Sequence, residues 1–263
     1  MKKIFAILTI MMAFSSAIAQ DDASFGIPAD SVSSGYTKAL ADSAYSAGDY
    51  TTAADIYEHI LADGESSIIY YNLGNAYFKS EEIARAILNY ERALLLDPSN
   101  KDIRFNLELA RSKMVDRVSE DTEIFFVRWF HNFANLLSLN VWAILAILLF
   151  LLTIGSIIAF IFSKKHGIKK LFFTFAAIFL LMTICANIIG QNQKKRLVSR
   201  NSAIVMEPSV VVRSTPSATG TDLFVLHEGR KVTITDDSMA AWKEIELEDG
   251  NVGWIETESL ERI

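Results

Sequence analysis

Two long apolar runs near the middle of the chain constrain its fold more than any other feature. Residues 141–162 carry no charged side chain, and neither do residues 171–190. A helix rises about 1.5 Å per residue, so ~20 apolar residues cross the ~30 Å hydrocarbon layer of a bilayer. Both runs are long enough to span. The connector, residues 163–170, is too short to be a domain, so the pair predicts a helical hairpin in a membrane. Two crossings return the chain to the side it left, and both polar flanks emerge on one face. The alternative is a pair of buried core helices, which rarely run this long without a charge.

The N-terminus indicates which face. Lys2 and Lys3 precede an apolar stretch at 4–14, and Ala17-Ile18-Ala19 supplies small residues where a signal peptidase reads. This pattern predicts a secretory signal peptide over 1–19, cleaved after Ala19, followed by a linker at 20–35. No Cys follows the cleavage point, which argues against a lipoprotein. An uncleaved signal anchor gives the same sidedness with one extra span. The connector carries Lys164, Lys165, Lys169 and Lys170 and no acid, and short basic loops stay cytoplasmic. Lys194, Lys195, Arg196 and Arg200 then fall outside, against that rule; the leader decides the orientation. The expected location is the bacterial inner membrane, with both soluble parts periplasmic.

Charge follows the same division. Residues 21–120 have a net charge of −8 and residues 201–263 of −7, while 121–200 sum to +7. Acidic soluble parts flank a basic membrane collar, and neither offers the basic surface of a nucleic-acid binder. The single cysteine, Cys185, lies in the second apolar run, so no intrachain disulfide forms.

Residues 36–118 are helical in rhythm and contain a repeat. Residues 67–100 place Tyr70, Leu73, Gly74 and Tyr77, then Ala86, Tyr90, Ala93 and Pro98, at the spacing of the tetratricopeptide pattern. Gly74 and Ala86 are small where two helices touch. Tyr70, Tyr77 and Tyr90 fill space between hairpins, and Pro98 ends the second helix. A weaker copy precedes it: Leu40, Ala41, Ala44, Gly48, Ala53 and Tyr57. Ile103, Leu107 and Ala110 share one stripe of a third helix whose charged positions, Arg104, Glu108 and Arg111, suit a solvated cap. The segment resembles a short tetratricopeptide array of two hairpins and a cap. That resemblance implies a concave groove that binds proteins or peptides, lined here by Lys38, Asp42, Tyr45, Tyr71, Asn75, Phe78, Lys79 and Phe105. Asn75 matches a position where relatives grip an extended peptide. Lys38 matches one basic position of the family's carboxylate clamp, whose other members are missing here. The competing reading is that these residues face water or pack against the collar.

Residues 119–140 are rich in aromatics: Phe125, Phe126, Trp129, Phe130 and Phe133, with Arg128 and His131 among them. They read as an interfacial segment at headgroup depth, or as a docking face. Polar residues within the spans are mild, and Asn187 is placed to bond another helix. Residues 191–200 read as a linker.

From Ala203 the rhythm changes to short alternating strands. The order Val210-Val211-Val212, Leu226-His227-Glu228-Gly229, Trp242 to Leu247, Asp249-Gly250 and Val252-Gly253-Trp254-Ile255 resembles a bacterial SH3 domain over 201–263. The resemblance implies a five-stranded barrel. Trp242, Gly253 and Trp254 would serve its core or rim, or the edge of a ligand groove. Relatives bind cell-wall peptides, so a peptidoglycan tether is the alternative function. His227 reads as a surface or rim residue.

No HExxH, GxSxG, GxxxxGK[ST] or CxxC motif occurs, and His59, His131, His166 and His227 are scattered over separate modules. The chain reads as neither an enzyme nor a metal or cofactor binder. The expected fold class is a multidomain membrane protein: all-α tetratricopeptide hairpins, a two-helix transmembrane hairpin at 141–162 and 171–190, and an all-β SH3-like barrel. This order of modules resembles the BatE family of the Bacteroides aerotolerance (Bat) operon. The resemblance implies a membrane-held scaffold working with other Bat proteins, some bearing von Willebrand A domains, and with a MoxR-type ATPase.

Overall fold

The computed structural model describes residues 36–116, 129–130 and 133–263. The leader at 1–19, the linker at 20–35, and Phe125, Phe126, Arg128 and His131 lie outside the described residues.

Five helices build the N-terminal array: α1 (Lys38–Ser46), α2 (Tyr50–Ala62), α3 (Ser67–Lys79), α4 (Ile83–Leu96) and α5 (Lys101–Arg111). Local chemistry fixes several starts. The side chains of Thr37, Asp49 and Asn100 accept hydrogen bonds from first-turn amides of α1, α2 and α5. Gly48, at φ +84°, makes the tight turn between α1 and α2. Each helix packs on the next, and Tyr57, Ile87, Leu88, Tyr90, Ile103 and Leu107 fill the shared core.

Two longer helices follow, α6 (Leu139–Phe162) and α7 (His166–Ser199). Both are long and apolar enough to cross a bilayer, and only 17% of each apolar window is buried. The two pack along one seam of Trp142, Ala146, Leu149, Ala186 and Ile189. Outside it, Leu151, Leu152, Phe173 and Leu181 are exposed, a surface that water does not tolerate. The hydroxyls of Thr153, Ser156 and Thr183 donate to carbonyls one turn back in their own helices. Asn187 likewise donates to the Thr183 carbonyl at 2.9 Å rather than to another helix.

The second helix is longer than its apolar run. α7 begins at His166, leaving a three-residue connector, and it continues nine residues past Gly190 through the expected linker. Gln, Lys, Arg and Leu suit a helix interior, and neither Pro nor Gly occurs between Gln191 and Ser199. Arg200 ends it in the left-handed region, at φ 39°.

The C-terminal module is an antiparallel sheet of seven strands: β1 (Ser202–Val205), β2 (Ser209–Arg213), β3 (Asp222–His227), β4 (Lys231–Asp236), β5 (Trp242–Glu246), β6 (Val252–Glu256) and β7 (Leu260–Arg262). Their order is β3-β2-β6-β5-β4-β1-β7. The expected closed five-stranded barrel is therefore replaced by an open sheet, with β3 and β7 as its ends. β2 and β6 are joined by a single register pair, Arg213 with Trp254, next to a bulge in β2. Gly253 permits that close approach, because a Cβ there would lie 2.5 Å from Val212 Cγ1. Val205, Val212, Val232, Ile245 and Ile255 form the core of the sheet. The Asp249-Gly250 turn joins β5 to β6, with Gly250 at φ +84°.

The array and the sheet are docked together. Ile204 of β1 and the terminal Ile263 are buried in the core of the helical array. Gly229, at φ +85°, lies so close to α4 that an added Cβ would be 3.0 Å from Ile87 Cδ1.

Candidate functional site

The marker residues of the 67–100 repeat sit where two helices meet. Tyr70, Leu73, Gly74, Tyr77, Ala86, Tyr90 and Ala93 are all buried, and Pro98 is half-buried just beyond α4. A Cβ on Gly74 would be 2.7 Å from the Tyr90 ring and 3.3 Å from the Ala86 carbonyl oxygen. Tyr77 donates to the carboxylate of the exposed Glu58 and Tyr70 to Glu65.

Residues 67–100 are similar to the tetratricopeptide repeat. They match that family over this stretch. No curated protein matches the chain.

The inner face of the repeat array is built on two equivalent hydrogen-bond hubs. Asp42 on α1 accepts from Tyr57 of its own hairpin at 2.6 Å and faces Asn72 Nδ2 of the next hairpin at 3.5 Å. Asn75 on α3 holds the same place one repeat later. Its Oδ1 accepts from Tyr90 of its own hairpin at 2.8 Å and from Asn106 Nδ2 of α5 at 2.8 Å. Asn106 also lies 3.0 Å from the Tyr71 hydroxyl. Lys38 is closed on Asp42 at 2.6 Å. Burial works to raise the Asp42 carboxyl, but the bonds from Lys38 and Tyr57 outweigh it and hold the group below the usual carboxylate range. Burial and the neighbouring Asp42 carboxylate push the Tyr57 phenol well up.

The expected groove residues thus divide into two sets. Lys38, Asp42 and the acceptor of Asn75 are engaged in stitching one helix to the next. Tyr45, Tyr71, Phe78, Lys79 and Phe105 present the remaining surface: Tyr45, Tyr71 and Phe78 are half-buried, Lys79 is exposed, and Phe105 is 69% exposed. Lys113 stands 4.6 Å over the Phe78 ring and closes one end of this aromatic strip. The Asn75 Nδ2 has no hydrogen-bond partner among the described residues. Asn72 and Asn106 were not singled out from sequence, although they stand one repeat apart; that spacing was the available signal.

The opposite face of the array is covered. Glu91 of α4 is buried between Arg111 of α5 and Lys231 of β4, the latter at 2.7 Å. Burial pushes its carboxyl up, but Lys231 and Arg111 pull harder and leave it below the ordinary range. Arg111, expected in solvent on a cap helix, is therefore half-buried in an ion-paired junction. Arg92 donates to Glu261 at 3.1 Å and to the Arg262 carbonyl at 2.6 Å. His227, expected at a free rim, has Nδ1 2.6 Å from Asp116 Oδ1, and its backbone amide donates to the same carboxylate at 2.9 Å.

Trp242 and Trp254 are half-buried on the face of the sheet opposite its core, opposite Glu256 and Glu244 in register. Trp129 stacks on Phe133 at 5.8 Å, and Phe133 meets Trp142 edge-on at 5.7 Å. Trp142 Nε1 donates to the Ala134 carbonyl, tying this aromatic cluster to the start of α6. Among the described residues, no three His, Cys, Asp or Glu side chains gather closely enough to hold a metal ion.

Proposed function

We propose that the chain is a membrane-anchored adaptor that binds a segment of a partner protein along the inner face of its tetratricopeptide array. One observation carries this reading. Phe105 is exposed and Tyr45, Tyr71 and Phe78 are half-buried beside the inner helices, while the sheet module occupies the other face at α4. Large aromatic side chains held by a rigid scaffold bind with little loss of conformational freedom. The internal hubs at Asp42 and Asn75 supply that rigidity. α6 and α7 moor the array at a bilayer. The leader and the basic connector support a periplasmic setting for both soluble modules, with the connector in the cytoplasm. The order of modules favours other membrane-held Bat-family proteins as partners. The role is binding rather than catalysis.

A photo-crosslinking residue at Phe105, introduced into the full chain in native membranes, tests the proposal. Covalent capture of a membrane protein from Phe105, and none from the same probe at Glu261 beside β7, is expected. Equal capture from both positions, or none from Phe105, overturns the groove as the binding face.

A further inference from the structure

The repeat array does not stand clear of the two apolar helices. α4 touches α7, and the loop from α4 to α5 comes down to the foot of α6. Pro98 and Arg104 line one cavity, about 330 Å³, together with Leu139 and Gln193. Roughly eleven waters fill such a volume, so the first turn of α5 and the foot of α6 are neighbours. Both walls are held. Arg104 donates to the Pro98 carbonyl at 2.8 Å. Gln193 is buried, and its Nε2 donates to the Ala134 and Leu137 carbonyls at 2.7 and 3.1 Å. The level of this junction follows from helix geometry. Leu139 stands ~3 Å before the charge-free run at 141–162, and Gln193 ~5 Å past the run that ends at Gly190. The polar layer on each side of the hydrocarbon is about 5–8 Å thick, so both residues lie at head-group level.

The inner helices take their direction from this junction. Ser67 Oγ, at the start of α3, donates to the Ala93 carbonyl near the end of α4 at 2.9 Å. The N-terminal ends of α3 and α5 thus share one rim with the end of α4, on the side of the apolar helices. Tyr71 and Phe105 stand at those ends, one repeat apart. Asn106, next to Phe105, lies 3.0 Å from the Tyr71 hydroxyl. Phe78 is ~10 Å farther out along α3, beneath the Lys113 ammonium. The aromatic strip therefore has a membrane-side end at Phe105 and an outer end at Phe78.

We propose that the strip takes the juxtamembrane stretch of another membrane protein, entering beside Phe105 and running outward past Tyr71 to Phe78. The occupant is an extended segment with apolar side chains, joined directly to a membrane helix of its own. Such a segment leaves the bilayer at the level where the strip begins. An extended chain covers ~3.3 Å per residue, so about five residues reach from the hydrocarbon edge to Phe105 and about three more to Phe78. Confinement of both proteins to one bilayer raises the effective concentration of the segment at the strip. The inference rests on the strip being the binding face and on α6 and α7 crossing a bilayer.

Two measurements on the full chain test it. In the first, Cys185→Ala removes the native thiol, and bimane is attached singly at Phe105→Cys or at Lys79→Cys, both exposed positions. The chain is reconstituted in phosphatidylcholine vesicles that carry a nitroxide on the lipid head group. Quenching at Phe105 is expected to exceed that at Lys79 by about twofold or more, because α3 sets Lys79 ~12 Å farther out than Tyr71. Equal quenching at the two positions overturns the membrane-side entry. In the second, a photo-crosslinking residue at Phe105 captures its neighbour in native membranes, and the attached peptide is sequenced. The attachment point is expected within about ten residues of the end of a membrane helix. Attachment in a domain remote from any membrane helix overturns the inference and leaves the groove as the binding face. Attachment to lipid alone overturns the segment and makes Phe105 a membrane contact. No attachment at all removes the groove as the binding face, and the inference with it, whatever the quenching shows.

Discussion

Arg200 closes α7 on the carboxylate of Glu65, with Nη1 2.7 Å from Oε1 and Nη2 on Oε2. Glu65 lies in the α2–α3 loop and also accepts from the Tyr70 hydroxyl at 3.1 Å. The exit of the second apolar helix is thereby pinned to the loop that opens the tetratricopeptide repeat. Arg200 does this from a left-handed backbone conformation, which a non-glycine residue adopts at a cost of about 1 kcal/mol. A bidentate, charge-assisted pair offsets that cost.

Glu65→Gln should therefore loosen this end of α7. The pair is partly exposed, so the expected loss is only about 1 kcal/mol. Hydrogen exchange of the full chain in detergent gives the sharper readout. Amides at 197–201 should exchange faster, while those of α3 and α4 hold their protection. Unchanged exchange at 197–201 would mean that α7 is held by other contacts.

Glu91 is the electrostatic centre of the junction between array and sheet. Removing its charge takes the buried counterion from Lys231 and leaves Arg111 to the more exposed Glu108 at 3.2 Å, so Glu91→Gln should cost about 3 kcal/mol. Its folded-state pKa lies below the unfolded one, set against the ordinary value of 4.5. Its contribution is fully present above that ordinary value and is lost as pH falls through the depressed folded value. The denaturation midpoint of the native chain should drop on acidification below about pH 4.5, and Glu91→Gln should remove part of that drop. An acid-side profile unaltered by the substitution would rule Glu91 out as the titrating group.

The two hubs predict energetic coupling. Tyr90 and Asn106 both donate to the Oδ1 of Asn75, so their losses should not add. Tyr90→Phe alone should cost about 1 kcal/mol, as should Asn106→Ala, with a coupling of about 0.5 kcal/mol or more in the double variant. Tyr57→Phe, at the equivalent hub on Asp42, should behave like Tyr90→Phe and combine additively with it. Denaturant midpoints of the three single and two double variants check this, and strict additivity of Tyr90→Phe with Asn106→Ala would exclude a shared acceptor.

The 67–100 repeat was legible because its markers record contacts made within one hairpin: a Gly where the Tyr90 ring presses, an Ala opposite, a Pro where the helix stops. Contacts between repeats were less so. Asn72 and Asn106 look like ordinary polar residues on a helix until their 34-residue spacing is set against the hubs they meet. The reach of α7 to Ser199 was readable from the lack of any breaker, but hydropathy ends at Gly190 and drew the boundary there. The docking of sheet onto array was not legible. Glu91 and Lys231 lie far apart in the chain, and an acid on an amphipathic helix looks solvated until a second module covers it. Nor did alternation along single strands specify closure, because it reports which face is buried and not whether the first and last strands meet.

The hairpin geometry fixes relative sidedness and so gives a direct test of orientation. Lys164 lies in the connector between α6 and α7, and Met239 is exposed in the loop between β4 and β5. If α6 and α7 each cross the bilayer once, these two positions lie on opposite sides of it. The native Cys185 sits within the apolar part of α7 and faces outward from the helix pair. A membrane-impermeant maleimide should not reach it, because thiolate does not form in hydrocarbon. Cysteines introduced singly at Met239 and Lys164 are thus read against a silent background. In intact spheroplasts Met239→Cys should label fully and Lys164→Cys should label only after the membrane is breached. The reverse pattern would put the repeat groove in the cytoplasm. Labelling of both positions in sealed spheroplasts would mean that the hairpin does not span at all.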